Sequence, residues 1–344
     1  MSDRVVIVKG IAGLGNRLRV VAASIEYAKK TNRKVYIDWK DGMFSKEGTN
    51  AFNRFFRIVD YPHLDDSTEL DVETYYPAIY KKLNMDTSIY YYFEKKQMKN
   101  RFVRKGYHYL FKGFHKIGNL SSKIDGAVCR WSQSYQAFVL KKEYREKYKI
   151  NGKFAFGAHL SKTIDADAVI YCDNIPFYSA ETMRKHIVLQ PDIQQKVDRF
   201  VAENQLNKDT VGIHIRASGK KCYGDVQKLI IKLKKYIADH HIERVFICTD
   251  NGPIEELFRQ EFTDRLVVQK KYIPEIREGE TGIHDFAQNS NDEELKLRLT
   301  EEAIIDMFAL AQTPYLFYQF GSTFSEISRV YHPESEKCRS WMNL

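Results

Sequence analysis

The chain reads as an α/β protein with two successive layered halves, each built on a parallel sheet. Three observations predict this. Short β-branched runs alternate with segments of helical periodicity along most of the 344 residues. A glycine turn, Gly13-Leu14-Gly15-Asn16, separates the first such run from the first helix. A second series of the same kind starts near residue 210, and 344 residues is long for one core. The boundary is expected at 203/204, giving an N-terminal α/β domain over 1–203 and a C-terminal domain over 204–344. The last residues are left open to pack back on the first domain.

Composition narrows the class. Hydrophobic residues make up 43% and charged residues 29%, as in ordinary globular proteins, so a disordered chain is excluded. No apolar run approaches the roughly 18–20 residues that span a bilayer. The apolar run at 5–8 is too short for a signal peptide. Cys129, Cys172, Cys222, Cys248 and Cys338 are scattered without a CxxC, so a reduced, cytoplasmic protein without structural zinc is expected. A formal charge of +9 favours anionic partners: nucleic acid, acidic lipid headgroups or sugar nucleotides.

In chain order, 4–8 is a strand and 16–30 a helix, because Leu18, Val21, Ala22, Ile25 and Ala28 recur on one face. A strand at 34–39 completes a βαβ unit, whose right-handed crossover makes the strands parallel neighbours. The glycines allow close backbone approach and the helix start offers free N–H groups to an anion, although a turn that serves only packing is the alternative. From 41 to 70 the pattern loosens around Phe44, Phe52, Phe55 and Phe56. The stretch 72–123 reads as a basic, aromatic insertion. Its tyrosines fit a half-buried core better than a carbohydrate platform. Its lysines and arginines over 95–123, with no acidic residue, suit either an interfacial or acceptor-side patch or a solvated face. Strands are expected at 154–160 and 168–172, and a helix at 191–204.

The second half opens on Thr210-Val211-Gly212-Ile213-His214-Ile215-Arg216, a buried strand that delivers His214 and Arg216 to its carboxyl end, with Lys220 and Lys221 beyond. In open α/β sheets that edge is where ligands bind. An arginine there is suited to phosphate because its planar fork donates paired, charge-assisted hydrogen bonds; a strand-end arginine paired with a surface carboxylate is the alternative. A helix at 226–240, a strand at 244–248 ending on Thr249-Asp250-Asn251-Gly252, a helix at 254–262 and a strand at 266–268 follow. The polar stretch 274–298 predicts a loop, then a helix over 300–311 and a strand over 315–318. Gly321-Ser322-Thr323-Phe324-Ser325 opens the last helix and repeats the anion-site logic. Three strand ends thus carry a cation, a polar pair for a nucleoside and a hydroxyl-rich helix start. No DxD pair stands ready for a divalent ion, so arginine, lysine and backbone N–H groups would have to stabilise a departing diphosphate.

These pieces resemble the fucosyltransferase superfamily with the His-x-Arg motif, which includes nodulation-factor, core α1,6- and protein O-fucosyltransferases. The shared segments are Gly13-Leu14-Gly15-Asn16-Arg17-Leu18, Val35-Tyr36-Ile37-Asp38-Trp39, His214-x-Arg216, Phe246-Ile247-Cys248-Thr249-Asp250 and Asp306-Met307 through Gly321-Ser322-Thr323-Phe324-Ser325. Residues 45–200 match least. The resemblance implies a GT-B glycosyltransferase, two Rossmann-like domains facing across a cleft, that transfers fucose from GDP-fucose to a glycan or glycolipid acceptor by an inverting, metal-independent route. It implies that Arg216 holds the β-phosphate with His214 beside it, while Lys220 or Lys221 is available to supply a further charge. Thr249, Asp250 and Asp306 would lie by the nucleoside, and Ser322, Thr323 and Ser325 by the phosphates. Gly13, Gly15, Asn16 and Arg17 would close from the other domain. Asp38, Glu301, Glu302 and a donor phosphate oxygen are the candidate bases. Nodulation and core members often carry a second basic residue after the motif arginine; here it is Ala217, so the resemblance does not extend to the linkage.

Two other readings keep part of these features: a GT-B enzyme for a different nucleotide sugar, or a noncatalytic nucleic-acid or membrane-surface binder using 95–123. For the enzyme, that segment would instead dock the protein on the inner face of a membrane carrying a lipid-linked glycan.

Overall fold

A computed structural model describes residues 3–10, 12–76, 163–171, 176–217, 226–273, 286–287 and 290–341. The expected strand at 154–160, the basic segment 95–123, Lys220 and Lys221 lie outside the described residues. The chain forms two compact units, one of residues 1–11, 19–41 and 60–179, the other of residues 12–18, 42–59 and 180–344. The division therefore does not fall at 203/204. Three stretches from the first 203 residues are built into the second unit, a partition that depends on long-range packing and leaves no local mark in the sequence.

In the first unit, β1 (Val5–Lys9), β2 (Lys34–Asp38), β4 (His63–Leu64), β5 (Tyr75–Tyr76) and β6 (Ala168–Tyr171) form one sheet in the order β4-β2-β1-β6-β5. All its pairings are parallel, with Lys9 opposite Asp38 at the carboxyl end of the β1–β2 ladder. Helix α1 (Leu14–Thr31) connects β1 to β2 and buries Leu18, Val21, Ala22, Ile25 and Ala28, the face its periodicity predicts. Every residue of β1 is buried, as a central parallel strand requires.

The second unit holds β8 (Thr210–Ile215), β9 (Arg244–Thr249), β10 (Leu266–Val267), β11 (Tyr315–Tyr318) and β12 (Cys338–Ser340), in the order β10-β9-β8-β11-β12 and again all parallel. Helices α5 (Val226–Asp239) and α6 (Gly252–Phe262) bury Leu229, Ile230, Leu233, Ile237, Phe258 and Phe262 in a core with Val211, Ile213 and Val245. Asn251 caps α6 by accepting a hydrogen bond from Ile254 N at 3.0 Å. The C-terminal segment adds β12 to this sheet and buries Trp341 in the same core.

Two local expectations need correction. The helix placed at 300–311 begins about two turns earlier, as α7 (Glu293–Leu310), because Asp292 accepts a hydrogen bond from Leu295 N at 3.0 Å and caps a polar first turn. The loosely patterned 41–70 contains α2 (Ala51–Phe55) and β3 (Phe56–Ile58). β3 pairs antiparallel with β7 (Ile187–Leu189), between α3 (Ala180–His186) and α4 (Pro191–Glu203). Phe52, Phe55 and Phe56 are buried there, so tertiary contact rather than alternation sets these short elements.

Lys9 Nζ lies 2.5 Å from Asp38 Oδ2, with the two residues 5% and 4% exposed. Removing the Lys9 ammonium leaves the Asp38 carboxylate buried without this cation. Lys9→Met should therefore cost about 3–5 kcal/mol in a denaturant titration, and the double replacement Lys9→Met/Asp38→Leu should recover much of it.

Candidate functional site

At the carboxyl edge of the second sheet, the structure brings together the ends of β8, β9 and β11. Backbone groups just past a strand end lose their ladder partners, and here side chains from neighbouring strands replace them. Gln319, directly after β11, accepts from Arg216 N through Oε1 at 2.6 Å and donates from Nε2 to the Arg216 carbonyl at 3.2 Å. Asp250, directly after β9, accepts from Ala217 N at 2.8 Å. Trp341 donates from Nε1 to the His214 carbonyl at 3.0 Å. Thr249 Oγ1 accepts from Asn251 N at 3.3 Å, turning the chain into α6.

His214 is buried and stacks on Phe324, with ring centroids 4.8 Å apart. Burial pushes its imidazole down to about 3; Asp250 opposes this, while Arg216 and Lys271 reinforce it. Its Nδ1 has no hydrogen-bond partner among the described residues. The ring is thus a neutral group beside Arg216.

Beyond β11, Gly321 adopts φ +77°, a left-handed turn that glycine takes without strain. Ser322 then caps α8 (Thr323–Tyr331) without a side-chain hydrogen bond, and its buried Oγ has no partner among the described residues. Ser325 Oγ accepts from Gln319 N at 3.2 Å. A helix start with N–H groups and an uncommitted hydroxyl can receive an anion.

The glycine turn belongs to this unit. A Cβ built on Gly15 would stand 2.6 Å from the Thr323 carbonyl oxygen, so only glycine fits where α1 begins against α8. Arg17 is fully buried, donates from Nε to the Ala12 carbonyl at 3.0 Å and lies 4.8 Å over the Phe44 ring. Gly13 accepts from Arg17 N at 3.2 Å through its carbonyl, and Asn16 is half-buried one residue before it.

Asp306, on α7, is buried and ion-paired with Lys271. The amide nitrogen of Gln269 donates to the Asp306 carboxylate and to the Glu302 carbonyl. Burial works against the Lys271 ammonium, but the pull of Asp306 wins and holds it above its ordinary value. Asp306 thus sits beneath the β9 edge with its charge internally matched. Asp38 lies in the first unit, held by Lys9 and by Lys40 N at 3.3 Å. Among the described residues, no group of three or more His, Cys, Asp or Glu side chains could hold a metal ion.

Of the expected site residues, the second unit gathers His214, Arg216, Thr249, Asp250, Ser322, Thr323 and Ser325 at one sheet edge, with Gly13, Gly15, Asn16 and Arg17 in the same unit. Gln319, Lys271 and Trp341 were not legible as site residues. The signal for Gln319 was its place immediately after a strand adjacent to the one bearing His214 and Arg216.

Two parallel α/β sheets in succession are the layout of the GT-B class of fold. A family model described as nodulation protein Z (NodZ) matches residues 2–123. Nodulation protein Z of Azorhizobium caulinodans is 22% identical over 289 residues, 78% of this chain and 74% of that protein. NodZ α-1,6-fucosyltransferase co-crystallized with GDP has the same fold, with a TM-score of 0.58 at 18% identity over 97% of this chain and 94% of that one. POFUT1 in complex with GDP aligns with a TM-score of 0.50 at 11% identity over 98% of each chain. The chain is thus similar to nodulation protein Z over most of its length and shares its fold with these fucosyltransferase structures.

The buried imidazole sets a pH dependence. The unfolded chain takes up a proton on His214 below about pH 6.5, whereas the folded chain refuses it until about 3. Stability therefore falls as pH drops through that window, by up to about 1.4 kcal/mol per pH unit from this residue. Urea unfolding of the wild type and His214→Phe at pH 7 and pH 5 checks this: the variant should lose less on acidification.

Proposed function

We propose that this protein is a fucosyltransferase that transfers fucose from GDP-fucose to a glycan or lipid-linked glycan. The observation that carries the reading is the clamped end of β8. Arg216 leaves a backbone tied to both neighbouring strands, beside a neutral His214 and in the same unit as the open start of α8. A sugar leaving a nucleoside diphosphate develops charge on the diphosphate, so prearranged cations and N–H groups are what that step needs most.

In this reading Arg216 holds the β-phosphate, with Lys220 as a second cation. Ser322, Thr323 and the first N–H groups of α8 receive phosphate oxygens, while Ser325 braces the turn through Gln319. Thr249 and Asp250 face the nucleoside, and the Asp306–Lys271 pair supports that wall. Gly13, Gly15, Asn16 and Arg17 form the glycine turn that completes the donor side.

The reaction is proposed to invert the anomeric centre without a metal. Each carboxylate considered as a base is already engaged: Asp38 by Lys9, Glu301 by Lys196 at 2.6 Å, and Glu302 by Arg298 at 2.8 Å. This commitment favours an oxygen of the departing diphosphate as acceptor of the incoming hydroxyl's proton. A cytoplasmic location, with the basic segment 95–123 resting on the inner face of a membrane, completes the proposal and rests on the sequence alone.

Arg216→Ala should slow GDP release from GDP-fucose by about 30- to 1,000-fold, the equivalent of about 2–4 kcal/mol. Turnover within a few fold of wild type would rule out its role, and calorimetry showing no preference for guanine nucleotides would rule out the donor. Chelation with EDTA followed by gel filtration should leave turnover unchanged. Activity lost on chelation and restored by Mg²⁺ or Mn²⁺ would overturn metal independence.

A further inference from the structure

We infer that Gln319 is a positioning residue that sets the aim of Arg216, and so controls the reaction without touching the donor. The inference rests on the reading of Arg216 as the diphosphate-binding cation. β8 stays paired with β9 as far as Ile215, where the ladder ends. Arg216 thus stands on the first residue without strand support, where its backbone would be free to reorient.

The Gln319 side chain removes that freedom by acting as a substitute peptide group. One primary amide accepts from Arg216 N and donates to the Arg216 carbonyl, closing both backbone groups of the same residue. Gln319 is itself 2% exposed and fixed in turn by Ser325, whose Oγ accepts from Gln319 N at 3.2 Å. On the far side, Asp250 holds Ala217 N. Three successive backbone groups around the Arg216 Cα are therefore fixed from two adjacent strands, which sets the direction of its Cα–Cβ bond. A long cation loses catalytic value quickly when its base is free, because a displacement of about 1 Å can cost on the order of 100-fold in rate.

Glutamine is the residue this geometry asks for. A carboxylate would accept from Arg216 N but face the Arg216 carbonyl without a donor. Methionine would fill the space and make neither bond.

The test is a double-mutant cycle with GDP release from GDP-fucose as the readout, supported by circular dichroism and thermal midpoints. Gln319→Met should lower turnover about tenfold or more in the wild-type background. In the Arg216→Ala background the same change should cost less than about threefold, because the group it aims is gone. A merely structural role would reduce turnover by the same factor in both backgrounds, and that result would overturn the inference. So would a folded Gln319→Met enzyme with wild-type turnover. Should Gln319→Met fail to fold, Gln319→Glu keeps one of the two bonds and carries the same cycle, with the same dependence on Arg216 expected. Wild-type turnover in Arg216→Ala alone would instead refute the functional reading beneath it, so the two failures are told apart.

Discussion

A parallel sheet ends all its strands at one edge, and the backbone groups just past that edge must find partners off the ladder. The second unit meets this constraint with side chains borrowed from adjacent strands. Gln319 serves Arg216, Asp250 serves Ala217, and Trp341 serves the His214 carbonyl. Because unpaired buried backbone groups cost about 1–3 kcal/mol each, these bonds are conditions of folding before they are features of a site. They also leave the edge rigid, which is what a site for a charged leaving group requires.

The charges follow the same economy of commitment. Each unit contains a buried lysine–aspartate pair: Lys9 with Asp38 in one, Lys271 with Asp306 in the other. Such pairs are poor sources of stability, but removing one partner from a buried pair is costly. His214 takes the opposite course. Its burial keeps it neutral, so it adds no repulsion beside Arg216.

Legibility varied with the range of the forces involved. The strand that presents His214 and Arg216, the Thr249–Asp250 strand end and the hydroxyl-rich start of α8 could all be read from local patterns. A buried strand, its polar terminus and a glycine turn are encoded within a few consecutive residues. The early start of α7 was missed because Leu295, Leu297 and Leu299 fall at every second position rather than at helical spacing, and the Asp292 cap is what marks the start. The short β3–β7 pair was missed because each strand has only three residues, too few for a periodic signal; each is fixed by its partner.

The amino-acid sequence alone determined that this chain alternates strands and helices in two series, and that a cation, a polar pair and a hydroxyl-rich helix start close three strands of the second. Those properties are local in the chain. Tertiary structure decided the rest. It placed residues 12–18 in the second unit, where Gly15 alone fits against Thr323, and it returned β12 to the second sheet. It also set Gln319 against Arg216 across 103 positions of sequence. Which backbone group a glutamine will serve depends on which strands become neighbours, and no local pattern specifies that.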